Sequence, residues 1–368
     1  QLAVLKINTE QASKLLVARL PIYPRYISAD SGWVSPSIAN ALLRHVDASG
    51  LARTDNWVPG ELTKAPFSVG QFMKAHKGSH IGRIEKQLDQ GLELSETDIV
   101  QLFNARGSEF DEVCQLADEL RRSAVGDTVT YVVNRNINYT NICSYRCGFC
   151  AFSKSSTLKG LRDKAYVLDI AEIVRRAEEA WERGATEVCL QGGIHPDFTG
   201  ETYLEICRAI RSALPALHIH AFSPLEIQQG AATLNISVRS FLEKLKESGL
   251  STLPGTAAEI LDDEVRRIIC PDKLTTSEWL EVVETAHQLK LPTTATIMFG
   301  HVDQPYHWAR HLRRIRDLQV RTNGFTEFVP LPFIHQEAPL YRRDSCRQGP
   351  TFRESILMHA VSRIVFHG

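Results

Sequence analysis

The sequence predicts an α/β fold, a parallel βα barrel with six strands visible and an N-terminal extension before it. Two observations carry that prediction. Beyond Thr128 short apolar runs rich in β-branched or aromatic residues alternate with amphipathic helical stretches. Such alternation forces right-handed crossovers, and therefore parallel strands with helices outside. Polar residues follow nearly every apolar run, at the strand ends where a TIM-like barrel assembles its functional mouth.

Taken in order, residues 1–60 hold Pro21, Pro24, Pro36 and several aromatics, a composition that packs onto something but hardly makes a core alone. Residues 61–84 read as a linker and residues 85–368 as the barrel. Ser95 stands three residues before Asp98 as a helix cap, with Ile99, Leu102 and Phe103 on one face. Phe110, Val113, Cys114, Ala117 and Leu120 mark a second helix. Strands are expected at 129–138, 186–191, 217–222, 251–254, 293–299 and 326–331. A helix with Ile170, Ile173, Val174, Ala177 and Trp181 ends at Gly184, and Thr275 with Glu278 opens another as a capping box. A closed eight-stranded barrel needs two more strands after residue 368, so the C-terminal part of the barrel is expected to be missing.

The formal net charge of -1 gives none of the basic excess that nucleic-acid binding requires. No run approaches 18 apolar residues, and no charged segment leads into an apolar one at the N-terminus. These features point to a cytoplasmic protein with no membrane partner. Cys114, Cys189, Cys207, Cys270 and Cys346 lie scattered among apolar neighbours and read as packed thiols.

The other three cysteines differ. Cys143, Cys147 and Cys150 form a C-x3-C-x2-C array in one loop, with Phe149 just before the last. Clusters that only transfer electrons use four cysteines, and structural zinc closes with four ligands. Three thiolates can hold a [4Fe-4S] cluster and leave one iron open. The amine and carboxylate of S-adenosylmethionine can chelate that iron, and an electron from the cluster then yields a 5'-deoxyadenosyl radical. Such chemistry asks the protein to bind, orient and exclude water rather than to move protons.

The strand ends supply the remaining candidates. Gln191, Gly192 and Gly193 follow the second apolar run, and the glycines allow either a ligand or a tight turn to approach. His220, Ser223 and Glu226 follow the third, and Thr256 and Glu259 the fourth. His220 and Glu226 are the candidates for a catalytic role. A lone strand histidine is also a common core residue, and Glu259 could equally be helix surface.

Six separated segments carry a family resemblance: NRNINYTN with the cysteine loop, LQGGIHPDFTGETY, HIHAFSPLEI, LPGTAAEILDDEVRRIICPDK, TATIMFGH and TEFVPLPF. Across residues 85 to 345 the chain resembles the radical S-adenosylmethionine family of 5-amino-6-(D-ribitylamino)uracil–L-tyrosine 4-hydroxyphenyl transferases. The resemblance implies a reaction in deazaflavin biosynthesis. The adenosyl radical activates L-tyrosine, its Cα–Cβ bond breaks, and the 4-hydroxybenzyl fragment adds to the ribitylated diaminouracil to build the precursor Fo. It further implies a reduced electron donor and a companion deazariboflavin synthase module, to whose tail residues 15 to 60 are similar. By matching position Cys143, Cys147 and Cys150 carry the cluster. Phe149, Gln191, Gly192, Gly193, Ser223, Thr256 and Glu259 bind the cofactor, while His220 and Glu226 act on it or on substrate. Asn323 stands where the family has glycine, which a left-handed backbone would accommodate. Menaquinone-pathway radical enzymes have a similar cluster loop, and a barrel that only docks to a partner is the non-catalytic alternative.

Overall fold

Side-chain caps decide where most helices begin. In this computed structural model, which describes Ser35 and residues 80–153, 165–256, 258–336 and 338–367, helix α1 spans His80–Asp89, α2 Glu96–Asn104 and α3 Ser108–Val125. The chain divides after Ala75, and all the elements named belong to the second unit. Residues 1–60 apart from Ser35, and most of 61–84, lie outside the described residues, but α1 shows that the end of the expected linker is helical. Ser95 caps α2 as expected: its hydroxyl accepts the Asp98 N–H at 3.1 Å, and the Asp98 carboxylate accepts the Ser95 N–H in return. Such a box contributes about 1 kcal/mol.

Three parallel strands follow, β1 Asn134–Asn138, β2 Glu187–Gln191 and β3 His218–Ala221, in the order β1-β2-β3. Strand β4, Thr293–Phe299, pairs in parallel with β5, Phe325–Pro332. The run expected as a strand at 251–254 is reduced to two bridging residues. Thr252 pairs with His220 and Leu253 with Thr293, linking the two sheets in parallel. Pro254 has no N–H with which to extend the ladder.

The first expected strand is shorter than 129–138, because pairing with β2 starts only at Asn134. Val129 and Tyr131, ahead of it, are 87% and 85% exposed. Between the strands run α4 Ile170–Glu182, α5 Gly200–Ala213, α6 Pro224–Thr233, α7 Val238–Glu247, α8 Asp263–Ile269, α9 Thr276–Gln288 and α10 Pro305–Thr322. After β5 come α11 Pro339–Arg342 and α12 Phe352–Val365. Gly184 follows the α4 cap at φ +86, but Trp181 is exposed rather than on the buried face. Asn323 ends α10 at φ 48, the left-handed conformation in which asparagine can replace glycine.

Alternation along the strands divides the residues between two faces. Ile137, Val188, Leu190, Ile219 and Ala221 are buried in one apolar cluster with residues of α4 to α7 and α9. The positions between them turn to the other face of the sheet, so the curved sheet is apolar against its helices and polar within. A second cluster joins α1 to α3 to α12 and part of α10, with Trp308 edge-on to Phe103 at 5.0 Å.

Candidate active site

The cysteine loop leaves the end of β1 and is fastened on two sides. At its start the Gly193 N–H donates to Thr140 O at 3.0 Å, and the Ser144 N–H donates to Ile194 O at 2.9 Å. Farther along, the Gly148 N–H donates to Ile269 O and the Leu340 N–H to Gly148 O, both at 2.7 Å. The Arg146 N–H donates to Asp272 at 2.9 Å. The loop is thus held by the end of β2, the end of α8 and the start of α11.

Within it Cys147 is buried, while Cys143 and Cys150 are partly exposed. The Ile194 N–H donates to Cys143 Sγ at 3.3 Å, the kind of hydrogen bond that tunes a metal-bound thiolate. Burial pushes the Cys147 thiol up to about 12, so ligation there must displace a proton.

The donor set fits a cluster better than one ion. Zinc holds sulfur at about 2.3 Å, which puts its ligand atoms within about 4 Å of one another. Among the described residues the group of three ligand atoms within 4.8 Å is Asp262, Glu264 and His307, not the cysteines. That trio is an ion-pair cluster. The Gln304 N–H donates to His307 Nδ1 at 3.0 Å, so the ring hydrogen sits on Nε2, facing Glu264 at 3.5 Å, and Arg310 pairs with Asp262 at 3.1 Å.

Gly192 and Gly193 have a packing reason to be glycine. A Cβ on Gly192 would strike the Tyr139 ring, and one on Gly193 would meet Ile142 O and, at 2.8 Å, Cys143 Cβ. Their bareness therefore lets the cluster loop lie on the end of β2. Beside them Gln191 Nε2 reaches Cys189 Sγ at 3.6 Å.

Glu226 does structural work at the centre of this arrangement. It is 1% exposed and is the capping-box glutamate of α6, accepting from the Ser223 N–H at 2.7 Å and the Ser223 hydroxyl at 2.5 Å. The Tyr139 hydroxyl also donates to it, as does the Gly192 backbone. Burial raises its pKa against those hydrogen bonds, and burial followed by the Glu226 charge raises that of Tyr139. One carboxylate so ties together the ends of β1, β2 and β3.

His220 lies one level deeper, with Nδ1 2.7 Å from Thr252 Oγ1, and no hydrogen bond joins it to Glu226. Burial drives its pKa down to about 4, so the ring is neutral at neutral pH.

On the other side of the mouth Glu259 adopts φ +47, a left-handed conformation unusual for a non-glycine residue and common at ligand sites. Its carboxylate accepts from Lys273 Nζ at 3.0 Å. Burial opposes charge on Lys273, but Glu259 outweighs it and the pKa is raised. The same ammonium sits 5.1 Å over the Phe149 ring, a cation–π contact against the cysteine loop. Thr256 Oγ1 is buried without a hydrogen-bond partner, a vacant polar contact at the mouth.

Sequence reasoning missed Tyr139 and Lys273 as site residues. Tyr139 was within reach as the first residue after β1. Lys273 was not, since its partner is 14 positions away outside any helical or strand repeat.

A parallel sheet wrapped in helices, with a three-cysteine loop at the strand ends, defines a radical S-adenosylmethionine protein, and residues 137–315 match the model of the Radical SAM superfamily. The fold resembles the crystal structure of methylornithine synthase, with a TM-score of 0.59 at 18% identity over 77% of this chain and 76% of that one.

The chain belongs to the 5-amino-6-(D-ribitylamino)uracil–L-tyrosine 4-hydroxyphenyl transferase family. It is 48% identical to the transferase of that name from Methanocaldococcus jannaschii, over 75% of this chain and 76% of the relative. It is also 42% identical to the FO synthase of Mycobacterium leprae over 98% of its own length and 46% of that protein. The chain thus spans about half the length of the FO synthases it matches.

Proposed function

We propose that the chain transfers the 4-hydroxybenzyl fragment of L-tyrosine to 5-amino-6-(D-ribitylamino)uracil, on the route to the deazaflavin precursor Fo. The 48% identity to a transferase named for those two substrates carries this reading, and the fastened three-cysteine loop supports it. When bound, the [4Fe-4S] cluster and S-adenosylmethionine supply a hydrogen-abstracting carbon radical.

The protein's part is to hold and shield. Cys143, Cys147 and Cys150 are the cluster ligands. Phe149, Gln191, Gly192, Gly193, Ser223, Thr256 and Glu259 flank S-adenosylmethionine, with the unpartnered Thr256 hydroxyl as a ready contact. His220 faces substrate from the interior as a neutral ring. Glu226 is a positioning residue that acts through Tyr139 and the Gly192 backbone.

Residues 1–60 are the tail of a companion deazariboflavin synthase module, 61–84 a linker and 85–368 the transferase barrel. Support comes from coverage, since an FO synthase matches 98% of the chain and the separate transferase 75%. No helix among the described residues is long and apolar enough to cross a membrane. We place the protein in the cytoplasm, where thiols stay reduced and a reduced electron donor is at hand.

The test is anaerobic turnover of the reconstituted, reduced chain with S-adenosylmethionine, tyrosine and the ribitylated diaminouracil, read by mass spectrometry. A benzylated adduct and tyrosine-dependent 5'-deoxyadenosine are expected. Deoxyadenosine release that ignores tyrosine would reject the assignment.

A further inference from the structure

Strand register stacks the interior side chains in layers. Asn134, Glu187 and His218 are neighbours across β1, β2 and β3, and Asn136, Cys189 and His220 form the next layer toward the mouth. Their alternates Ile137, Val188, Leu190 and Ile219 are buried against the helices, so these polar residues face inward. Thr252 joins the layers, its Oγ1 lying 2.8 Å from His218 Nε2 and 2.7 Å from His220 Nδ1. Glu187 is 3.7 Å from His218 Nε2, and Glu327 of β5 acts on it electrostatically.

A barrel centre that is only packed fills its layers with bulky branched apolar side chains. Here amides, imidazoles and a carboxylate stand in their place, and His218 and Glu187 keep 40% and 19% of their side-chain surface open. Their chemistry selects a ligand class. The five strands contain one cationic side chain, Arg135, and it turns outward to Glu179 at 2.7 Å. Nothing on the strands would hold a phosphate or carboxylate, and Glu187 with Glu327 would repel one. Asn, Thr and neutral His both donate and accept hydrogen bonds, as every hydroxyl of a polyol does.

We propose that Asn134, Glu187 and His218, with Thr252 and Glu327, form a subsite for a neutral polyol chain, the ribityl tail of the acceptor. This rests on the proposed function above. Its orientation follows from chemistry, because the reacting ring must lie near the cluster loop and the unreactive tail is left to extend inward. Burial, reinforced by Glu327, raises the Glu187 pKa, and the carboxylate oxygens accept from a hydroxyl.

The experiment is anaerobic titration calorimetry of the reconstituted chain with S-adenosylmethionine present. The probes are 5-amino-6-(D-ribitylamino)uracil and 5,6-diaminouracil, which lacks the polyol. The wild type is expected to prefer the ribityl compound by more than about tenfold, and Glu187→Ala or His218→Ala to remove about a factor of ten from that preference, the scale of one hydrogen bond. Affinity for diaminouracil and iron content should stay unchanged, and Glu187→Gln should restore part of the loss. If Glu187→Ala fails to fold, His218→Ala carries the test. An undiminished preference in the folded variants, or equal losses for both probes, overturns the subsite and leaves the transferase reading standing. Failure of the wild type to bind either probe overturns both.

Discussion

The outward face of β1 to β3 and the inward face of the same strands differ at every other residue. Outward, Ile137, Val188, Leu190 and Ile219 join an apolar cluster with the helices. Inward, Asn136, Glu187, Cys189 and His220 face a polar interior, and the loop that follows carries the three cysteines. Stability and chemistry are thus interleaved on one backbone, for the most part on different side chains. Changes on one face should therefore leave the property of the other nearly intact.

The sharpest separation is expected at Cys147. Cys147→Ser should abolish cluster loading, taking iron from about four per chain to none, while the far-UV spectrum and thermal midpoint stay close to those of cluster-free wild type. Large unfolding together with iron loss would break the division between faces.

On the opposite face Leu190→Ala should cost about 2 to 5 kcal/mol, since Leu190 is fully buried and the cavity cannot collapse freely. Denaturant titration reads the loss, and iron per folded molecule should not change.

Gly193→Ala tests the seam where the two properties meet. A methyl group there meets Ile142 O and Cys143 Cβ, so the loop must shift. Iron affinity should fall about 10- to 100-fold, with a smaller change in stability. An alanine variant that loads iron normally would show that the loop does not depend on this close approach.

Taken residue by residue, the smallest effect comes from protons. Burial holds His220 and His287 near about 4 and His311 near about 3, whereas an unfolded histidine titrates near 6.5. The unfolded chain therefore binds more protons below about pH 6.5, and stability present above that value is lost as pH falls toward 4. From pH 7 to pH 5 each ring should account for roughly 1 to 2 kcal/mol. A denaturation midpoint unchanged over that interval would mean these rings accept protons in the folded state.

Much of this was legible in the chain itself. The apolar runs at 186–191 and 293–299 correspond to β2 and β4, and the caps at Ser95 and Thr275 are in place, because strand alternation and capping are short-range. The run at 129–133 misled, since β-branched residues favour a strand only where a partner strand exists, and pairing begins at Asn134. The role of Glu226 was hidden for a related reason. Its spacing from Ser223 marks a capping box, but its bond to Tyr139 crosses 87 positions. Lys273 and Glu259 meet only because α8 folds back on the cysteine loop.

Electron paramagnetic resonance of the reconstituted, reduced chain, recorded before and after S-adenosylmethionine is added, shows whether one iron of the cluster is open to the cofactor. About four irons per chain and a [4Fe-4S] signal that changes shape on addition are expected, because one iron lacks a cysteine and takes the amino acid end of the cofactor. A signal indifferent to S-adenosylmethionine, or a colourless folded protein holding stoichiometric zinc, would contradict it.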